Sequence, residues 1–179
     1  NGDCPEEYRA LFAALIQQWR REWGLGEIPF YFAQLSSFKA WNSAEGDGWG
    51  YLREAQAQVL KLPNTGMAVT HDIGDPDDVH PRHKQEVGRR LALLALNRTY
   101  GQALGIDSGP VLASSVRRGD AMVLTFQFGE GLVATGDELR GFEIAGPDRH
   151  FMPARAEICG DSTVIVRGVG VSEPAAVQY

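Results

Sequence analysis

Two short apolar runs, each bracketed by helical patterns, constrain the fold of this chain most strongly. Ile28-Pro-Phe-Tyr-Phe-Ala-Gln-Leu35 is apolar and aromatic, Met67-Ala-Val-Thr-His-Asp-Ile73 is apolar and β-branched, and each has the length of a buried strand. Before the first run, Tyr8, Leu11, Phe12, Leu15 and Trp19 recur at helical spacing. Asp3 and Glu6 stand at capping-box spacing, Pro5 suits a first turn, and Gly24 is a C-terminal stop. A Gly/Ser/Asn-rich loop from Ser36 to Gly50 leads into a second helix, Tyr51 to Lys61, with Leu52, Ala55 and Val59 on one face. After the second run, Pro81 opens a third helix in which Val87, Leu91 and Leu94 share a face, and Tyr100-Gly101 marks its end. The order helix–strand–helix–strand–helix predicts a parallel sheet covered by helices. Two parallel strands alone leave their edges and faces unpaired, so the pattern predicts further strands from residues outside this sequence.

From Gly109 the texture changes. Met122, Leu124, Phe126 and Phe128 alternate with other residues, and Phe142-Glu-Ile144, Ala156-Glu-Ile158 and Thr163-Val-Ile-Val-Arg167 are short β-prone runs between Gly, Pro and Asp turns. This predicts an antiparallel β region over residues 109–179, after an α/β part over 1–108. A formal net charge of −6 over 179 residues, with no basic stripe, argues against nucleic-acid and anionic-membrane partners. No apolar run has transmembrane length. The chain does not start with Met, so Asn1 is expected to follow a removed or separate segment. Cys4 and Cys159 allow one disulfide at most and are too few to mark a metal site; the sequence leaves open whether they are bridged.

The chemistry concentrates between His71 and Lys84, in His-Asp-Ile-Gly-Asp-Pro-Asp-Asp-Val-His-Pro-Arg-His-Lys. In an open α/β sheet, the loop at a strand's C-terminal end is where sites form. Asp77 stands three residues before His80, the spacing at which a carboxylate orients an imidazole acting as general base. Asp78 and Asp75 are close enough in sequence to take the same role. The competing reading is a solvated acidic turn with a helix cap. A metal site from His71, Asp75, His80 and His83 is a further alternative, with His83 otherwise a surface residue of a first helical turn. No nucleophile accompanies the histidine. Gly160-Asp161-Ser162 spells the start of a nucleophile motif, but it lies in the β region and runs into Thr163–Val166, which predicts a tight turn instead. Phe38, Trp41 and Trp49 are either a sugar-stacking platform or core.

Several longer strings carry a resemblance. They are Leu52-Arg-Glu-Ala-Gln56, Leu62-Pro-Asn-Thr-Gly-Met-Ala-Val-Thr70, Asp72-Ile-Gly-Asp-Pro76, Val79-His-Pro and Lys84-Gln-Glu-Val-Gly-Arg-Arg-Leu-Ala-Leu93. Tyr8-Arg-Ala-Leu-Phe, Trp19, Trp23-Gly, Ser108-Gly-Pro110, Gly141-Phe-Glu-Ile-Ala-Gly146 and Ala176-Val-Gln-Tyr179 fit as well. Together they resemble the bacterial sialate O-acetylesterase-like family, carbohydrate acetylesterases of the SGNH hydrolase superfamily. The resemblance implies a three-layer α/β/α fold joined to β-rich modules, and a Ser-His-Asp type mechanism with no metal or cofactor. It carries His80 over as the base and Asp77 as its acid through the Asp-x-x-His pattern, with Asp78 the position other family members use and an upstream Glu a third choice.

The family's Gly-x-Ser nucleophile block and its Gly and Asn oxyanion blocks are missing, as is a C-terminal Trp-containing tail after Tyr179. Asn1 matches the last residue of a Gln-Gly-Glu-Ser-Asn segment that precedes the first helix in the family. The expectation is therefore the C-terminal part of a secreted or periplasmic carbohydrate O-acetylesterase acting on an acetylated sugar or polysaccharide. This chain would supply His80 and its acid, and an N-terminal segment of the same, proteolytically processed precursor would supply the serine. Another SGNH-type esterase or lipase, or a non-catalytic carbohydrate-binding module, is the alternative.

Overall fold

In the computed structural model, which describes residues 4–38, 48–80, 82–105 and 107–179, the chain divides into two compact units, Asn1–Ser108 and Gly109–Tyr179. The expectations placed on Asn1, Asp3, Trp41 and Pro81 lie outside the described residues. No helix among those described is long and apolar enough to cross a membrane.

Helix α1 (Pro5–Trp23) has Pro at its start, Glu6 and Glu7 in its first turn and Arg20 and Arg21 in its last, so charge at both ends complements the helix dipole. It stops at Gly24, whose φ of 65° and bond to the Arg20 carbonyl make a left-handed cap that a side chain would strain. The face it buries is offset from the one its aromatic spacing suggests. Ile16 and Arg20 are buried and Phe12 packs beside them, whereas Leu11 is 60% and Trp19 48% exposed, and Leu15 is exposed too. The shift comes from Arg20. Its guanidinium donates to the carbonyls of Ile28 (2.8 and 3.1 Å), Pro63 (2.8 Å) and Asn64 (3.3 Å), so its cation turns inward with hydrogen bonds to offset desolvation.

Strands β1 (Phe30–Ala33) and β2 (Thr65–Ala68) pair in parallel, with Phe30 opposite Thr65 and Phe32 opposite Met67. Both are shorter than their apolar runs. β2 starts earlier than expected and ends at Ala68, because the Thr70 hydroxyl donates to the Gln34 carbonyl at 2.6 Å and the chain turns into a single 3-10 turn at His71–Ile73. Helix α2 (Gly48–Gln58) tightens into a second 3-10 turn at Val59–Lys61, and Leu52, Ala55 and Val59 are buried. Helix α3 (Lys84–Arg98) begins later than Pro81, since backbone groups up to His80 are tied into side-chain turns. The core joins Ile16, Phe32, Val59 and Met67, with Phe12 edge-on to Phe32 at 4.9 Å between ring centroids. Leu94 of α3 is fully buried beside Gly66, where a Cβ would run into the Tyr31 ring and Leu94.

The second unit is a curled, six-stranded antiparallel sheet in the order β3 (Val111–Arg118), β4 (Ala121–Gln127), β7 (Thr163–Gly168), β6 (Met152–Ile158), β5 (Glu143–Ala145), β8 (Ala176–Gln178). Met122 and Leu124 alternate inward and meet Phe142, Ile144, Val164 and Val166 in its core. Phe128, the last residue of the alternating run, has a φ of 55° and leaves the strand half-exposed. Cys4 and Cys159 are both exposed free thiols.

Candidate active site

Parallel pairing brings two loops together at the C-terminal ends of β1 and β2. The Gln34 backbone amide continues the ladder to the Ala68 carbonyl at 2.9 Å and the Ser37 hydroxyl donates to the His71 carbonyl at 2.8 Å, while the Leu35 amide is held by Gln56 Oε1 of α2 at 2.8 Å. Closest of all is Gly74, where a Cβ would collide with the nitrogen, carbonyl oxygen and hydroxyl of Ser37. Only glycine permits this approach.

Beyond Gly74 the chain folds on its own carboxylates. Asp75 Oδ1 accepts from the Asp77 amide and Asp78 Oδ1 from the His80 amide, both at 2.9 Å, two successive Asx turns. Asp78 Oδ1 also lies 3.5 Å from His80 Nδ1, and Arg82 Nε approaches its other oxygen at 4.0 Å. The His80 amide, the nearby imidazole and Arg82 hold the Asp78 carboxyl below its ordinary range, the amide most strongly. The His80 side chain is 84% exposed. A carboxylate accepting from Nδ1–H favours the tautomer whose Nε2 carries the lone pair. At 3.5 Å the pair is at the outer limit of a hydrogen bond.

Asp77 shares the turn, with its amide committed to Asp75. Asp75 thus orders the loop backbone, and Asp78 places a carboxylate oxygen 3.5 Å from the ring nitrogen. His71 sits in the 3-10 turn and His83 is exposed at the N-cap of α3. Among the described residues, no group of three or more His, Cys, Asp or Glu is gathered closely enough to hold a metal. Ser162 lies in the turn between β6 and β7 and leads into a strand, with its carbonyl bonded to the Phe126 amide at 2.8 Å. Phe38 and Trp49 come together at 5.7 Å between centroids, tilted by 59°, and Trp49 Nε1 donates to the Ser36 carbonyl at 2.7 Å. Both rings are half-buried beside the loop after β1.

Three residues of this site escaped sequence reasoning: Arg90, Ser37 and Gly74. Arg90 reaches from α3 to Asp72 and to the Val69 carbonyl. Its signal was the i,i+4 spacing of Glu86 and Arg90, which reads equally well as a solvated helix pair. The contact between Gly74 and Ser37 depends on strand register, which the sequence does not signal.

The family profile described as carbohydrate esterase, sialic acid-specific acetylesterase matches residues 2–97. Sialate O-acetylesterase of Mus musculus is 30% identical over 179 aligned residues, covering 89% of this chain and 33% of that protein. The Homo sapiens sialate O-acetylesterase is 36% identical over 121 residues, 58% of this chain and 23% of that protein. A crystal structure of a novel carbohydrate acetylesterase from Xanthomonas citri superimposes with a TM-score of 0.89 at 46% identity, covering 97% of this chain and 40% of that one. This chain therefore spans a third or less of the length of these curated relatives.

Proposed function

The chain belongs to the sialic acid-specific acetylesterase family of carbohydrate esterases, and from that premise we propose that it supplies the histidine half of a serine-esterase site that hydrolyses acetyl esters on sugars. The observation that carries this reading is the Asp78–His80 pair, with an exposed imidazole, on the loop after β2. The nucleophile is a serine on a segment outside residues 1–179. That segment also adds strands beside β1 and β2 to complete a three-layer α/β/α sheet. The exposed Leu11 and Leu15 on α1 support this, since an apolar helix face is ordinarily covered.

In the reaction, His80 Nε2 takes the serine hydroxyl proton as the oxygen attacks the acetyl carbonyl carbon. The imidazolium that forms is stabilised by its acid, Asp78 or Asp77. The tetrahedral intermediate collapses, its C–O bond to the sugar breaks, and the imidazolium returns the proton to the departing sugar oxygen. Water, deprotonated by the same imidazole, then attacks the acetyl-serine carbonyl, and as the bond to the serine oxygen breaks the imidazolium returns the proton to it, releasing acetate and free serine. Phe38 and Trp49 offer an aromatic surface of the kind sugars stack against. Within this reading the protein acts in the periplasm or outside the cell.

Replacement His80→Ala tests it. Release of acetate from p-nitrophenyl acetate and from acetylated oligosaccharides should fall by about three to six orders of magnitude, with the cooperative thermal transition retained. Activity within about tenfold of wild type would remove His80 from the role of base.

A further inference from the structure

Arg90 connects the His80 loop to helix α3 through one rigid group. Its Nη1 donates to the Val69 carbonyl and to Asp72 Oδ1, both at 2.6 Å, Nη2 donates to Asp72 Oδ2 at 2.6 Å, and Nε donates to Glu86 Oε1 at 2.8 Å. The side chain is only 23% exposed. Val69 is the first residue after β2, and Asp72 is the middle of the 3-10 turn that follows. One planar guanidinium thus sets both the exit point of the strand and the pitch of the turn, two residues before the loop is wedged against Ser37 at Gly74. Glu86, itself held by Arg89 as well, keeps the guanidinium from rotating about its long stem. A fork binding both oxygens of a carboxylate fixes orientation as well as distance, which a lysine ammonium cannot do.

We propose that Arg90 is a positioning residue of the esterase: by gripping Asp72 and the Val69 carbonyl together, it sets where the 74–80 loop presents the His80 imidazole. This inference rests on the reading of His80 as the base. Arg90 itself touches neither the imidazole nor any group assigned to the reaction. A guanidinium serving the fold alone would affect how much protein is folded. One that aims the loop affects the rate per folded molecule, because a displacement of about 1 Å at a reacting group costs on the order of a hundredfold in rate.

The test uses the full-length enzyme carrying the serine segment, with p-nitrophenyl acetate, a substrate too small to exploit sugar contacts. Arg90→Lys, Asp72→Asn, the double variant and His80→Ala are compared, with kcat normalised to the folded fraction from the melting curve. Arg90→Lys is expected to lower kcat by at least about tenfold with KM changed by less than about twofold. Asp72→Asn is expected to do the same, and the double variant to be no slower than the worse single one, since both break the shared Arg90–Asp72 contact. Arg90→Lys within about threefold of wild-type kcat, or losses that multiply in the double variant, would overturn the proposal while an inactive His80→Ala keeps the base assignment. An active His80→Ala would overturn both. If Arg90→Lys does not fold, Asp72→Asn, which keeps an oxygen acceptor in place, decides alone by the same kcat criterion.

Discussion

Gly74 is where the two strand-end loops touch backbone to backbone, and replacing it with alanine exposes how rigid that junction is. A Cβ there would meet three atoms of Ser37, two of them main chain, all closer than real Cβ contacts allow. Main-chain atoms cannot swing aside as a side-chain tip can. Relief requires the loop after β2 to retreat by roughly 1 Å, and overpacking of this kind costs about 1–3 kcal/mol. The retreat would also stretch the 2.8 Å bond from the Ser37 hydroxyl to the His71 carbonyl. Two consequences are expected together. In the full-length enzyme the unfolding free energy falls by about 1–3 kcal/mol, and kcat on p-nitrophenyl acetate falls on the order of a hundredfold because His80 rides on the displaced segment. Gly88→Ala is the internal control. Gly88 lies within α3 with nothing near a Cβ, so alanine there should stabilise by about 0.5–1 kcal/mol and leave kcat unchanged. Urea unfolding and initial-rate kinetics on the two variants give the comparison. Gly74→Ala with wild-type stability would refute the view of the loops as tightly wedged. Lost stability with unchanged kcat would sever the wedge from the catalytic loop.

The acid partner of His80 is separable by amide substitution: Asp78→Asn should lower kcat more than Asp77→Asn, as Asp78 is the carboxylate seen at 3.5 Å from Nδ1, and the reverse order in steady-state kinetics would move the role to Asp77. Acid sensitivity should centre on α3. Arg89 first, then Arg90, pull the Glu86 pKa from its ordinary 4.5 to about 2, and Arg90 lowers that of Asp72 as well. A depressed folded pKa contributes stability that is complete above the unfolded value and lost as pH falls through the folded one. Melting temperature should therefore drop between pH 4.5 and about 2, and Glu86→Gln should flatten the curve in that window; an identical slope in the variant would count against the network.

The elements that bury by period were legible, and those set by a hydrogen bond across loops were not. Leu52, Ala55, Val59 and Leu94 are buried on the helical faces their spacing defines. Strands at Phe30–Ala33 and Thr65–Ala68 lie inside or beside the apolar runs that signalled them. The β-branched Val69 and Thr70 read as more of the same strand, but the Thr70 hydroxyl found the Gln34 carbonyl, a partner 36 positions away. The face that α1 buries within this unit is offset for a similar reason. Trp19 looks like core and Arg20 like surface, yet Arg20 turns inward to reach carbonyls 43 and 44 positions along the chain, and Trp19 stacks on Trp23 at the exposed edge. At the candidate site, spacing put Asp77 first with Asp78 and Asp75 as alternatives, and the folded turn brings Asp78 Oδ1 to 3.5 Å from His80 Nδ1. Asp75 and Asp78 each close an Asx turn on the backbone two residues on, and the loop path these turns set is not encoded in linear spacing.

Arg20 has a consequence at the other end of the strands. Its guanidinium grips Ile28 just before β1 and Pro63 and Asn64 just before β2, so both strands leave a common origin. From there each runs its four paired residues, about 13 Å, to the loops that meet at Gly74. The origin acts as a reading frame. A slip of one residue would advance the His80 loop by about 3.3 Å and turn Phe32 or Met67 out of the core, so the aim of the imidazole is inherited from an arginine at the opposite end of the ladder.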